Sequence, residues 1–332
     1  MRALVAVGWL AVAVGAFGVA LGFLDVPNQR LLVLASAAPY LMAVAALGVL
    51  TLGVTRHWVG FGTALAVSAV AVLSQAPLYL PNGSVSASGP DLTVMQANIW
   101  LGNADPDPLV RQIESRHVDV LTVNELTPEA VDRLLASGIE SALPHSFLRP
   151  GNGGVGTGIW SRYPLSEQVH HEEFLLSALS ARVAVPDGGS VAVFAFHPVP
   201  PWPSDPSVWS GEMDRIKAIL DAIPEDSGPV ILSGDFNSTR DHVKYRNLLS
   251  GRFQDAADQV GAGIQNTYPA DRRPLPPMIA IDHIITAGAV RGIGGDHRFR
   301  SPRPHRDRRP RQSVDSSASN SRPARNRSGG MR

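Results

Sequence analysis

The sequence predicts a layered α/β sandwich domain preceded by three membrane-spanning helices. Two patterns predict it: three long N-terminal stretches without a charged residue, and beyond them short Val-, Ile- and Leu-rich runs that alternate with amphipathic segments. A third pattern points to chemistry, because the apolar runs end in carboxylates, amides and a histidine.

Residues 3–24, 31–54 and 58–80 contain no Asp, Glu, Lys or Arg. Each supplies the roughly 20 residues a helix needs to cross a hydrocarbon layer of about 30 Å. A buried helix of a soluble protein keeps a polar face, and these stretches have none. Arg2 precedes the first, Arg56 and His57 lie between the second and third, and the 25–30 loop balances Asp25 with Arg30. The positive-inside rule then puts the N-terminus and the 55–57 loop in the cytoplasm. Three crossings deliver everything after residue 80 to the outer side, a multi-pass arrangement with an extracytoplasmic domain. Were the first stretch a cleaved signal peptide, the other two would leave the domain on that same side.

Residues 81–90 have linker composition, with Asn-Gly-Ser and Ser-Ala-Ser-Gly. The globular domain is expected over 91–290. It holds 14 Lys and Arg against 25 Asp and Glu, a net charge of −11. The tail, 291–332, holds 12 Arg against three Asp, a net charge of +9, so the formal neutrality of the chain is a cancellation. There are no cysteines, which excludes thiol nucleophiles, disulfide frameworks and Cys-type zinc sites. No repeat period is visible.

Within the domain, residues 92–97, 118–123, 191–196, 230–233 and 279–285 read as strands, and 108–116, 128–137 and 208–223 as helices. Thr127-Pro128 is a helix start, with a capping hydroxyl and proline at the first helical position. Gly188-Gly189 between apolar runs reads as a hairpin. The first strand ends in Asn98, the second in Asn124-Glu125, the third in His197 and the fourth in Gly234-Asp235-Phe236-Asn237. The last carries Asp282 and His283. If these strands lie side by side, their polar ends share one rim.

That set has a chemical logic. A hard divalent cation, Mg²⁺ or Mn²⁺, takes oxygen ligands, typically one or two carboxylates with phosphate and water, and Glu125 suits it. Charge gathers on the non-bridging oxygens of a phosphoester under attack, and the amides of Asn98 and Asn237 suit those. Asp235 can orient a water and take its proton. His197 beside Asp282 can bind a phosphoryl oxygen, the carboxylate keeping the imidazole protonated. Singly, each has an ordinary explanation: Gly-Asp-x-Asn is a common turn, and a glutamate after a strand is often a helix-start charge. Asp282 in an apolar strand is harder to explain that way, since an unpaired buried carboxylate is costly.

In this order the residues resemble the endonuclease/exonuclease/phosphatase superfamily, the deoxyribonuclease-I-like fold. The matching segments are Val94-Met95-Gln96-Ala97-Asn98-Ile99, Asp119-Val120-Leu121-Thr122-Val123-Asn124-Glu125 and Gly158-Ile159-Trp160-Ser161-Arg162-Tyr163-Pro164-Leu165. They continue with Phe196-His197, Gly234-Asp235-Phe236-Asn237 and Ile281-Asp282-His283-Ile284. The resemblance implies an α+β, four-layer αββα sandwich with a metal at Glu125. It further implies phosphate and water positioning by Asn98, Asp235 and Asn237, and a His197–Asp282 pair. Asn124 stands where the family has glutamine. The preceding spans are similar to a membrane-bound bacterial branch that includes glycopeptide-resistance-associated proteins, which implies cell-envelope lipid phosphates as substrates.

The family closes on a strand bearing Asp-His. Here Asp296-His297-Arg298 is similar to that motif, but it follows Asp282 by 14 residues and runs into Arg, Pro, Ser and Gly. The readings of 291–332 are a basic disordered extension, a polyanion-binding tail, or a reading-frame shift near Gly292 in GC-rich coding DNA.

A domain at −11 disfavours polynucleotides, whose binding relies on Lys and Arg displacing counterions. A membrane tether favours a lipid-linked phosphate or pyrophosphate, with the bilayer as partner and no protein partner expected. The loop at 198–203 puts Trp202 near the expected site and Trp209 follows, residues that suit a membrane interface. The competing readings are an extracytoplasmic nuclease and a non-catalytic membrane protein that binds phosphate.

Overall fold

The computed structural model describes residues 1–81, 92–186, 189–270 and 276–288. Most of the expected linker, the 291–332 tail with His297, and Gly188 of the expected hairpin lie outside the described residues.

At the N-terminus, α1 (Arg2–Leu21) and α5 (Trp58–Tyr79) are each long and apolar enough to cross a membrane. The stretch between them, expected as one continuous span, is broken. α2 (Gln29–Ser36) starts at Asn28, whose side chain accepts from the N–H groups of Arg30 and Leu31. It stops before α3 (Ala38–Ala43), which runs into α4 (Ala45–Val54) at 64° to it. Pro39 is the physical reason: it has no N–H to continue the ladder, and its ring excludes the carbonyl four residues back. The bent pair makes a third span only if it counts as one. α1 packs tightly on its neighbours, since a Cβ added at Gly15 would sit 2.6 Å from the Cβ of Ala45.

One end of this bundle is tied to the rest of the chain. Gln75 Nε2 donates to Asp241 Oδ1 at 2.8 Å, the Gly263 N–H to the Leu78 carbonyl at 2.7 Å, and His242 Nε2 lies 3.0 Å from the Leu32 carbonyl. Arg246 donates to the Gly22 carbonyl, and Lys244 pairs with Asp25 at 3.4 Å.

Beyond the bundle lie two sheets. The first has strand order β1-β2-β4-β3: β1 (Val94–Asn98), β2 (Val120–Asn124), β3 (His145–Arg149) and β4 (Thr157–Ser161). The second, in order β5-β6-β7-β8-β10-β9, comprises β5 (Leu165–His170), β6 (Leu179–Ala184), β7 (Ser190–Phe196), β8 (Val230–Asp235), β9 (Phe253–Asp255) and β10 (Asp282–Ala287). Three cores give the layering. Val94, Val120 and Ile159 of the first sheet meet Val183, Val193, Ile231 and Ile284 of the second. The first sheet's other face takes α6 (Pro106–Ser115), α7 (Pro128–Ala136) and the short α8 (Ile139–Ala142), through Leu109, Ile113, Leu134 and Ile139. The second sheet's outer face takes α9 (Pro206–Asp221) and α10 (Val243–Leu248), through Met213, Ile216 and Tyr245. α11 (Ala256–Val260) follows β9.

The five expected strands and three helices are present with shifted ends. β10 starts at Asp282 rather than three residues earlier, so Asp282 opens the strand instead of lying inside it. β6 and β7 are antiparallel with Ala184 opposite Ser190, and residues 187 and 188 between them lie outside the described residues. Topology puts the polar ends together. β1 and β2 are parallel, as are β7 and β8, so each pair ends at the same edge. β10 runs antiparallel to β8, with Asp282 opposite Asp235, so its beginning lies at β8's end.

Candidate active site

All six expected side chains come to that rim. Asn98 is the link between the sheets: its Nδ2 donates to Glu125 Oε1 and to Asp235 Oδ2, both at 2.9 Å. Glu125 belongs to the first sheet's edge and Asp235 to the second's. The other oxygen of Glu125 accepts from the Leu101 N–H. Asp235 Oδ1 accepts the Asn237 N–H at 2.8 Å, and Asn237 Nδ2 donates to the Pro198 carbonyl at 3.0 Å, next to His197.

The backbone is shaped for this. Glu125 and Asn237 have φ of +61° and +49°, and Trp100 and Leu101 have +51° and +52°. Four of the seven non-glycine residues with left-handed φ among the described residues therefore cluster here, conformations that persist where surrounding structure over-determines them. Gly234 allows β8 to lie close to β7, since a Cβ there would sit 1.9 Å from the Phe196 carbonyl oxygen.

The electrostatics follow from burial and like charge. Burial pushes the Asp235 carboxyl well above its ordinary value, and Asp282 adds to the rise, while the Asn237 N–H and the Asn98 amide pull the other way. Burial pulls His197 below the ordinary imidazole value, with Glu125 and then Asp282 opposing it. The expected His197–Asp282 partnership is therefore electrostatic only. His197 Nδ1 and Asp282 Oδ1 are both buried without a hydrogen-bond partner, and burial outweighs the pull of the carboxylates on the ring.

None of Glu125, Asp235 and Asp282 forms an ion pair with Lys or Arg among the described residues. No group of three or more His, Cys, Asp or Glu there forms a complete cage for a metal. A hard cation that takes one or two carboxylates and fills its other positions with phosphate and water needs no such cage. The donor set fits such an ion: unspent carboxylate oxygen at Asp282, like-charge crowding around Asp235, and an amide bridging to Glu125.

Several supporting residues have partners that the sequence did not announce. Asn124, buried, accepts the Asp235 N–H at 2.9 Å and the Gln96 amide at 3.1 Å, and donates to the Phe196 carbonyl at 3.3 Å. It ties both sheets just behind the rim, a job that requires an amide and not a specific chain length. Glu212 accepts the Val199 and Leu175 N–H groups at 2.7 and 2.9 Å, fixing the loop that follows His197. His283 binds Asp255 Oδ2 and the Ser238 carbonyl, both at 3.0 Å, on the opposite face of β10 from Asp282. Trp209 is a core residue, fully buried with Nε1 donating to the Phe236 carbonyl, and is not at an interface as its composition suggested. Trp202 is 64 % exposed, and the carbonyls of Pro201 and Ser204 on either side of it accept from Gln29 at the start of α2.

Comparison with known proteins adds the family. The sequence pattern of the Endonuclease/Exonuclease/phosphatase family matches residues 95–302, more than half the chain. The Drosophila melanogaster protein named "Putative neutral sphingomyelinase" is 23 % identical over 250 residues, covering 62 % of this chain and 53 % of its own length. The chain thus spans about half the length of the curated relative it matches. Among solved structures, D. rerio TDP2 complexed with single-strand DNA product has 19 % identity and a TM-score of 0.48, covering 59 % of this chain and 83 % of its own. A beta toxin variant from Staphylococcus aureus with bound magnesium ions has 15 % identity and a TM-score of 0.44, covering 59 % and 84 %.

Proposed function

Because the chain belongs to the Endonuclease/Exonuclease/phosphatase family, we propose that it is a membrane-anchored, Mg²⁺-dependent phosphoester hydrolase. Its substrates on this reading are lipid-linked phosphates or pyrophosphates at the outer face of the cell membrane. The observation that carries the reading is the Asn98 bridge, which joins Glu125 and Asp235 from different sheets into one acidic rim.

Glu125, with a neighbouring carboxylate, would hold the divalent cation, which supplies charge to offset that gathering on the phosphoryl oxygens. Asp235 orients the attacking water and takes its proton, and burial raises the carboxyl's affinity for that proton. Asn237 holds Asp235 in place through its N–H and lies against the loop after His197. The His197 ring lies at this rim among the carboxylates, and an arriving anion favours its protonated form. Asp282, opposite Asp235, then has a cation to pair with.

Several features support a lipid over a polynucleotide. The domain expected at 91–290 carries a net charge of −11, unfavourable for phosphate-rich strands. Trp100, Leu101, Leu175 and Trp202 are exposed on loops that hydrogen-bond to the site or its supports, and exposed apolar side chains gathered this way suit a membrane surface. On this reading the bent α2–α4 stretch is the second of three spans, and the domain is extracytoplasmic in the manner of the glycopeptide-resistance-associated branch.

The test uses full-length protein in detergent or nanodiscs with Mg²⁺, offered lipid phosphates, lipid pyrophosphates, a generic phosphodiester and single- and double-stranded DNA. Hydrolysis of a lipid phosphoester that Asp235→Ala abolishes is the expected result. Cleavage of DNA alone would make it a nuclease, and no hydrolysis of any substrate would make it a phosphate-binding membrane protein.

A further inference from the structure

The domain-side end of the helical bundle and one flank of the sandwich enclose a cavity of about 320 Å³, within the range of about 300–1,000 Å³ common for small-molecule sites. Tyr40 and Leu78 contribute from the membrane helices, and Ile264, Met278 and Ile279 from the domain. Asp282 lines it too, so the cavity abuts the carboxylate cluster. Ser36 and Pro39, which flank the break between α2 and α3, lie on its wall as well.

Several acidic side chains line this space, and most are already engaged. Asp258 accepts from Arg240 at 2.6 Å, Asp255 holds His283 and Tyr245, and Asp241 accepts from Gln75. Two polar atoms are left over: Gln75 Oε1 and Asp282 Oδ1 are buried and have no hydrogen-bond partner. Both residues line the cavity. The chamber thus offers largely apolar walls and adjoins a residue of the rim, Asp282. α5, which turns Leu78 toward the cavity, exposes Val72 and Leu73 by 68 % and 71 % elsewhere along its length.

We propose that this cavity receives the hydrocarbon stem of a lipid phosphoester whose phosphate sits at the Asn98–Glu125–Asp235 cluster. The membrane helices then build part of the substrate site and do more than anchor it. The break at Pro39 gives a chain leaving the bilayer a way to the rim between α2 and α3. This inference rests on the phosphoester reading of the cluster.

The experiment uses the full chain in nanodiscs and has two arms. In the first, kcat/KM is measured for alkyl phosphodiesters of increasing chain length. It should rise about two- to fourfold per methylene until the cavity is filled, the change expected for burying apolar surface. Met278→Trp, and independently Ile264→Trp in case the first variant folds poorly, should flatten that dependence. In the second arm, a diazirine-bearing alkyl phosphonate is photolysed on the wild type and the labelled residues are mapped by mass spectrometry. Labels at Tyr40, Ile264 or Met278, reduced by either tryptophan, support the proposal. Labels confined to the Val72–Leu73 face, or a chain-length dependence that neither variant changes, overturn it. Hydrolysis without chain-length dependence or cavity labelling leaves the hydrolase standing and removes the chain site. Cavity labelling without any hydrolysis does the reverse.

Discussion

His242 and Leu32 are joined across the boundary between the domain and the N-terminal helices, the ring's Nε2 donating to the Leu32 carbonyl at 3.0 Å. Nδ1 accepts the Thr239 N–H at 2.9 Å, so the buried ring is neutral with both nitrogens engaged. Burial lowers its pKa from 6.5 to about 4, with Arg246 and His283 pushing the same way and the two backbone partners opposing. Below pH 6.5 the unfolded chain takes up a proton that the folded one refuses, so stability falls as pH drops from 6.5 toward 4. The loss attributable to this ring is on the order of 3 kcal/mol at the bottom of that window. Thermal unfolding of the full chain in detergent should show the midpoint dropping over this range, and His242→Gln should flatten the slope. An identical slope in the variant would remove the assignment.

The Asn98 bridge makes a second prediction. Asn98→Ala removes one amide from two carboxylates at once, leaving them crowded and unscreened. Asp235 loses a hydrogen bond that favours its ionised form, so its carboxyl should rise further. Activity should fall on the order of 10²–10³-fold, the range seen when one preorganised donor is removed. Circular dichroism should be unchanged, because Asn98 is half-exposed at the end of β1. A loss of less than about threefold would mean that the bridge is a structural tie alone.

Much of this architecture was legible in the residue pattern, and the parts that were not share a cause. Strands such as Val120–Asn124 and Val230–Asp235 are buried on both faces, so they read as continuous apolar runs. Their polar ends were readable because Glu125 and Asp235 interrupt those runs. By contrast, β5 alternates weakly and is exposed along most of its length, and β9 is three residues long. Neither makes a pattern that stands out from a loop. Pro39 was visible, but composition alone favoured one unbroken span. Tertiary partners were invisible: nothing near Asn124 or Glu212 in the chain announces that one ties two sheets and the other holds two distant N–H groups.

Glu212 gives a third prediction. Its carboxylate is buried on α9 and accepts N–H groups from the loop after His197 and from Leu175, whose side chain is exposed. Glu212→Ala leaves both donors without that acceptor, at a cost of about 1–3 kcal/mol in unfolding stability. Glu212→Gln keeps the shape and one acceptor but turns its NH2 toward the other N–H, so it should recover only part of that stability. Urea unfolding of the two variants separates them. If Gln is as stable as the wild type, shape complementarity and not hydrogen bonding to both N–H groups holds the loop.

Glu125 carries the prediction on metal. Chelation with EDTA should abolish hydrolysis and added Mg²⁺ or Mn²⁺ should restore it, because the rim's carboxylates gain their charge balance from a cation. Glu125→Gln keeps the shape and one acceptor, for either the Asn98 amide or the Leu101 N–H, and removes the charge. The variant should need more Mg²⁺ for half-maximal activity, by about tenfold or more, with the lowered rate recovering partly at high Mg²⁺. Isothermal titration with Mg²⁺ gives a readout apart from turnover: binding in the wild type should weaken in Glu125→Gln and much less in Asn237→Ala. Equal weakening in both would mean the cation sits nearer Asp235, and unaltered binding in Glu125→Gln would take Glu125 out of the metal site.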